Sequence, residues 1–224
     1  MTCIVLHSTE SDPGSAEAIA NYLVKMGYEP HEVFDPSNGD LIQLLPPSES
    51  GKALLNLPGG VETNRRGGVY QIEIVGRAVD VPKYDDNWYL RLRIRLLDVC
   101  AMTGCPFIFP LPFQPYPQSY GKNLVRMSYD DWLTFEGLCG HLHVPENDHG
   151  DPGMLDVARL HGDDMPLSDD DIHKVAEAVW SRVLDIEGTS APAAEWIGYL
   201  YAQVTRDEFL TKRVTEAVVA ALDK

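Results

Sequence analysis

Over roughly the first 160 residues the chain alternates between short apolar runs and stretches with apolar residues every three or four positions. That switching between a strand period and a helix period predicts an α/β domain, with a mixed central β-sheet flanked by helices. "TCIVLH" (2–7) reads as a buried strand ending in His7. "STESDPGSAEAIANYLVKMG" turns at Asp12-Pro13 into a helix with Ile19, Tyr22, Leu23 and Met26 as its apolar face, stopped by Gly27. "HEVFDPSNGDLIQLLP" reads as a hairpin with Asn38-Gly39 at its tip. Residues 46–68 are polar and glycine-rich and read as a long surface loop.

"VYQIEIVG" (69–76) is the clearest strand, placing Tyr70, Ile72 and Ile74 on one face and Gln71, Glu73 and Val75 on the other. "NWYLRLRIRLLDVCAMTG" (87–104) is a helix with a polar stripe of Arg91, Arg95 and Asp98 between apolar rows, which suits packing on a sheet. "CPFIFPLPFQPYPQSYG" carries five prolines and predicts an extended surface wrap. "SYDDWLTFEGLCG" (128–140) reads as a short helix capped by Ser128. No internal repeat is apparent.

After about residue 162 the pattern becomes purely helical. Ser168 and Asp171 occupy capping-box positions before an apolar stripe through Ile172, Val175, Val179 and Val183. Trp196, Leu200, Val204, Val214, Val218 and Leu222 repeat the theme. The expected division is a domain over 1–162 and a helical C-terminal extension over 163–224. The extension's stripe needs burial, either on the domain or in a homo-oligomer.

With 18 basic and 34 acidic residues the net charge is −16, which argues against nucleic acid or an anionic membrane as partner. No apolar run reaches the length of a membrane span, and Met1 leads into "TCIVLHSTE" without a signal-peptide pattern, so a cytoplasmic location is expected. Cys3, Cys100, Cys105 and Cys139 are scattered and expected to be reduced.

One segment carries chemistry. "GHLHVPENDHGDPG" (140–153) concentrates three histidines and three acids. In an extended chain residues two apart point the same way, which pairs His149 with Asp151 and His141 with His143. "PEND" turns the second pair back toward the first. One histidine from the first pair and Asp151 then supply two metal ligands, with His141 and His143 equally eligible. A hydrolytic zinc takes three protein ligands, and His7 at its strand end is the best-placed third. Glu73 reads either as part of a solvated face or as a base positioned to take a proton from water.

"HSTE" after a short strand, "YQIEIVG" and "GHLHVPENDHGDPG" together resemble the zinc-dependent N-acetylmuramoyl-L-alanine amidases, a superfamily that includes the peptidoglycan recognition proteins. The resemblance covers roughly residues 1–160 and is narrowest to the amidase modules of endolysins from phages of actinobacteria. It implies zinc held by His7, His141 and Asp151, leaving His143, Glu146 and Asp148 to shape the turn. It implies Glu73 as the residue that activates water, and it puts His149 where many relatives carry an oxyanion-stabilising lysine. Some relatives have a tyrosine just before the position of His31, where this chain has Pro30, so Glu73 bears more of the chemistry. Asn64 and Arg65 are candidates to hold the muramyl-peptide.

The function expected from the resemblance is hydrolysis of the bond between N-acetylmuramic acid and L-alanine in peptidoglycan, by an endolysin that waits in the host cytoplasm during infection. The alternatives are a non-catalytic peptidoglycan-recognition module and an amidase of soluble muropeptides in wall recycling.

Overall fold

The computed structural model describes residues 3–12, 14–64 and 68–162. Arg65 and the expected helical extension over 163–224 lie outside them. The described residues contain a five-stranded mixed sheet with helices. Strands β1 (Cys3–Ser8), β2 (Glu32–Asp35), β3 (Asp40–Gln43), β4 (Val69–Ile74) and β5 (Gly137–Gly140) are ordered β3-β2-β4-β1-β5. β2, β4, β1 and β5 run parallel, and β3 pairs antiparallel at one edge. β1 and β4 are buried at every position, as expected of central parallel strands covered on both faces. The 32–43 hairpin forms as read: Asp35 accepts from the Ser37 amide and hydroxyl, and Gly39 takes the left-handed φ of +89° that closes the turn.

Helix α1 (Ala16–Met26) is capped by Ser15 and stopped by Gly27 at φ +78°. Tyr28 N–H returning to Leu23 O completes the closing motif. Its buried face is not the expected one, because Tyr22 and Met26 are exposed. Ala16 and Ala20 are buried instead, with Ile19 and Leu23 beside them against Val33 and Val75. The alanines let the helix backbone approach the sheet, and that turns the two larger side chains outward.

Helix α2 (Asp86–Thr103) also differs from its sequence reading. Within its polar stripe Arg91 is exposed but Arg95 faces inward: it is 5 % exposed and pairs through its guanidinium with both carboxylate oxygens of Glu32, itself fully buried on β2. Tyr70 donates to the same carboxylate at 2.6 Å. Arg91 donates to the carbonyls of Pro36 and Ser37, fixing the helix to the hairpin turn.

The proline-rich stretch contains neither helix nor strand. It lies along β5, where Leu138 N–H donates to Ile108 O at 2.8 Å. That contact covers an edge that would otherwise be open to another chain. The short helix α3 (Tyr129–Thr134) starts at a reciprocal Ser128–Asp131 capping box. Helix α4 (Val157–His161) packs on α2, with Arg159 held over the Tyr89 ring at 3.9 Å.

Residues 46–64 form the expected irregular loop, exposed over most of its length, but it is anchored to the sheet. They fold over one face of β4: Ala53 N–H donates to Gln71, Gln71 donates to Asn64, and Leu54 enters the core with Val5, Val69 and Trp132. Gln71 is fully buried beneath this cover and Glu73 is 8 % exposed, so the reading of that face as solvated does not hold. The core layer of Cys3, Val5, Val69 and Cys139 continues along the strands to His7 and Glu73 at their C-terminal ends. Ligand sites of open parallel sheets form at this end. The four cysteines are buried thiols, with the Cys3 and Cys139 sulfurs 4.0 Å apart across β1 and β5.

Candidate metal centre

Three chain segments meet above the C-terminal ends of β4, β1 and β5. His7 comes from the last turn of β1, His141 from the residue after β5, and Asp151 from the loop that follows. All three are at least 95 % buried. One donor atom from each lies within 4.8 Å of the others, so the group could hold a metal ion.

The individual separations are tighter. His7 Nδ1 is 3.1 Å from His141 Nδ1. Asp151 Oδ1 is 3.3 Å from His141 Nδ1, and Oδ2 is 3.7 Å from His7 Nδ1. Ser8 N–H donates to Asp151 Oδ2 at 3.1 Å, so the strand that carries His7 also aims the carboxylate. His7 Nε2 is buried with no hydrogen-bond partner.

The electrostatics suit a cation. Burial holds His7 neutral, pushing its pKa well below the usual imidazole value, and neighbouring His141 adds to the effect. Against the upward push of burial, the imidazoles of His141, His149 and His7 hold Asp151 well below the ordinary carboxylate range. A neutral His7 imidazole and an ionised Asp151 carboxylate therefore face a common point beside His141.

His143 does not share this site. Residues 141–143 form a single 3₁₀ turn rather than extended chain, so side chains two apart no longer point together. His143 Nδ1 accepts from Gly140 N–H at 2.9 Å, and its Nε2 donates to Pro112 O at 3.1 Å. It is fully buried, edge-on to Phe113. Between His141 and His143 as neighbour of His7 and Asp151, the turn selects His141.

Glu73 pairs in register with His7 on the adjacent strand. It is 8 % exposed, and its Oε2 has no hydrogen-bond partner. Burial, with Asp151 and Glu10 nearby, pushes its pKa up to about 8. A buried carboxyl with one unpartnered oxygen and a raised pKa beside a ligand cluster is a candidate for chemistry.

His149 stacks on His141 with ring centroids 4.6 Å apart, and its Nδ1 lies 3.5 Å from Asp151 Oδ1. Two-thirds of its side chain is exposed, so it stands at the mouth of the centre. Its interaction with Asp151 raises its pKa, which favours the protonated, hydrogen-bond-donating form.

Asn64 lies elsewhere. It is buried, with its amide donating to Leu54 O and accepting from Gln71, so its polar atoms already hold the cover over β4. Two residues that sequence reasoning passed over are built into the site. Asn147, inside the "PEND" turn, places Oδ1 2.8 Å from His141 Nε2. Arg126 donates to the carbonyls of Gly121, His141, Val144 and His149, binding both ends of the loop that carries the ligands. Asn147 was visible only as a turn residue, and Arg126 gave no pattern at all. Glu146, at φ +64°, accepts from the Leu57 and Val61 amides and so joins that loop to the β4 cover.

Comparison of the chain with family models, with curated proteins and with solved structures gives no match.

Proposed function

We propose that the protein is a zinc-dependent hydrolase that cleaves the amide between N-acetylmuramic acid and L-alanine in peptidoglycan. The observation that carries this reading is the meeting of His7, His141 and Asp151 beside an unpaired, buried Glu73. A tetrahedral ion with bonds of about 2.0–2.1 Å has ligand-to-ligand edges of about 3.3–3.4 Å. The His7–His141 separation of 3.1 Å and the His141–Asp151 Oδ1 separation of 3.3 Å lie close to that value. Two imidazoles and one carboxylate are also a donor set that suits zinc. The substrate class rests on the resemblance of the three sequence motifs to the amidases, and so does the setting of a phage endolysin.

When bound, zinc supplies Lewis acidity for the scissile carbonyl and lowers the pKa of the attacking water. The chain supplies the rest. Glu73 takes the water's proton at Oε2 and passes it to the departing amine. A base with a pKa near the working pH is suited to both halves of that transfer. His149, at the mouth of the centre and biased toward imidazolium by Asp151, donates a hydrogen bond to the oxyanion as it forms. Ser8 N–H and Arg126 hold the carboxylate and the ligand loop in place.

The test is incubation of purified protein with actinobacterial peptidoglycan, with and without a chelator, followed by mass spectrometry of the released ends. New L-alanine amino termini that vanish with chelator and return with zinc support the proposal. Intact wall that nevertheless retains the protein overturns it in favour of recognition without catalysis. Cleavage of soluble muropeptides alone favours wall recycling.

A further inference from the structure

We infer that Asn147 is a positioning residue that fixes the tautomer of His141, turning the Nδ1 lone pair toward His7 and Asp151. The inference rests on the metal reading of that trio, but its geometry is independent of it.

A neutral imidazole carries its proton on one nitrogen, and the partner of the other nitrogen decides which. The partner of His141 Nε2 is the side chain of Asn147, and the orientation of that amide is determined by backbone groups alone. Leu55 N–H can only donate, and it lies 2.9 Å from Asn147 Oδ1. Pro145 O and Leu55 O can only accept, and they lie 2.8 and 3.3 Å from Asn147 Nδ2. The atom facing His141 at 2.8 Å is therefore the carbonyl oxygen. A carbonyl oxygen cannot donate, so His141 Nε2 must carry the proton and Nδ1 is left bare.

Every hydrogen-bonding position of Asn147 is then used: the oxygen accepts from Leu55 and His141, and the nitrogen donates to Leu55 and Pro145. Asn147 is 2 % exposed, so water does not compete for these bonds. The bare Nδ1 is the atom 3.1 Å from His7 Nδ1 and 3.3 Å from Asp151 Oδ1.

His7 has no such support. No group holds its Nε2, and with His141 Nδ1 bare at 3.1 Å, His7 Nδ1 carries the proton in the metal-free protein and donates to it. Of the two imidazoles, His141 is the one presented ready to bind. Asn147 also joins Leu55 of the β4 cover to the ligand, so the cover and the ligand tautomer share one side chain.

The test is long-range proton–nitrogen NMR on metal-free protein, with His141 assigned by substitution, together with zinc affinity measured by chelator competition. The expected spectrum of the native chain is a pure Nε2–H pattern for His141. Asn147→Leu removes the acceptor and should give mixed tautomers with zinc affinity lower by roughly 10–100-fold, as for other residues that support metal ligands. Asn147→Asp keeps an acceptor at that point and should restore the Nε2–H pattern. A native His141 protonated on Nδ1 would overturn the inference without any variant having to fold. So would an Asn147→Leu protein with unchanged tautomer and affinity. A native chain that shows the Nε2–H pattern yet binds no zinc upholds the role of Asn147 and overturns the metal reading beneath it.

Discussion

His7 and Glu73 stand opposite one another on adjacent parallel strands, paired in register one residue before each strand ends. In-register neighbours project from the same face of a sheet, so the candidate ligand and the candidate base are delivered together by the pairing of β1 with β4. No loop has to fold correctly to bring them together.

That arrangement separates catalysis from stability at Glu73. The carboxyl is buried without a partner and its pKa is raised to about 8, so a neutral amide of the same shape replaces it at little cost. Glu73→Gln should change the unfolding free energy at pH 7 by less than about 1 kcal/mol and leave zinc affinity within a few-fold. Amide hydrolysis should fall roughly 10²–10⁴-fold, the usual contribution of a general base. Urea denaturation, chelator competition and a rate assay on the same preparation read all three.

Arg126 predicts the opposite pattern. Its guanidinium satisfies four backbone carbonyls around the ligand loop. Arg126→Met leaves partly buried acceptors without donors, at a cost of roughly 2–4 kcal/mol in stability. The loss should concentrate in residues 141–151, seen as faster amide hydrogen exchange there than in β1 or β4.

The Arg95–Glu32 pair tests the fold away from the site. Arg95→Met strands a buried carboxylate and should destabilise by about 3–5 kcal/mol. Adding Glu32→Leu removes the stranded charge and should recover most of that loss. Thermal unfolding of the single and double variants measures the recovery.

Acid should unfold the metal-free protein through its buried imidazoles. Burial lowers the pKa of His31, and pushes that of His143 down to about 4. A histidine depressed in the folded state binds fewer protons than in the unfolded chain, where its value is near 6.5. Its contribution is complete above about pH 6.5 and is lost as pH falls toward the folded value. For His143 the window is about pH 6.5 to 4, and the loss is on the order of 3 kcal/mol. Denaturation midpoints in chelator across that range check the slope. His143→Leu should be less stable at pH 7 but show a shallower dependence.

Local pattern in the sequence was enough to find β1, the hairpin, β4, the Ser128 cap and the histidine-rich segment, because each depends on neighbours along the chain. β5 was missed, since residues 137–140 read with the short helix and become a strand by pairing with β1. Turning Arg95 inward depends on Glu32 being buried 63 residues away, and no periodicity reports that. The same holds for the burial of Gln71 beneath residues 46–64, a long-range packing event between two segments of ordinary composition. Among the site residues, periodicity left His141 and His143 equal; the resemblance implied His141, and the 3₁₀ turn is what brings it to His7 and Asp151. Asn147 and Arg126 act on backbone groups and on a ligand's far side, where a residue's type says little about its partner. Arg65 and the stripes beyond residue 162 fall outside the described residues.

The central claim is that His7, His141 and Asp151 jointly hold one zinc ion. The most direct measurement is anomalous diffraction at the zinc absorption edge from crystals grown with zinc, compared with crystals of the Asp151→Ala variant. The account predicts one strong peak, about 2.0–2.1 Å from the two Nδ1 atoms and an Asp151 oxygen, that disappears in the variant. A native crystal without a peak between these side chains, or a peak that persists at full strength in Asp151→Ala, would contradict it.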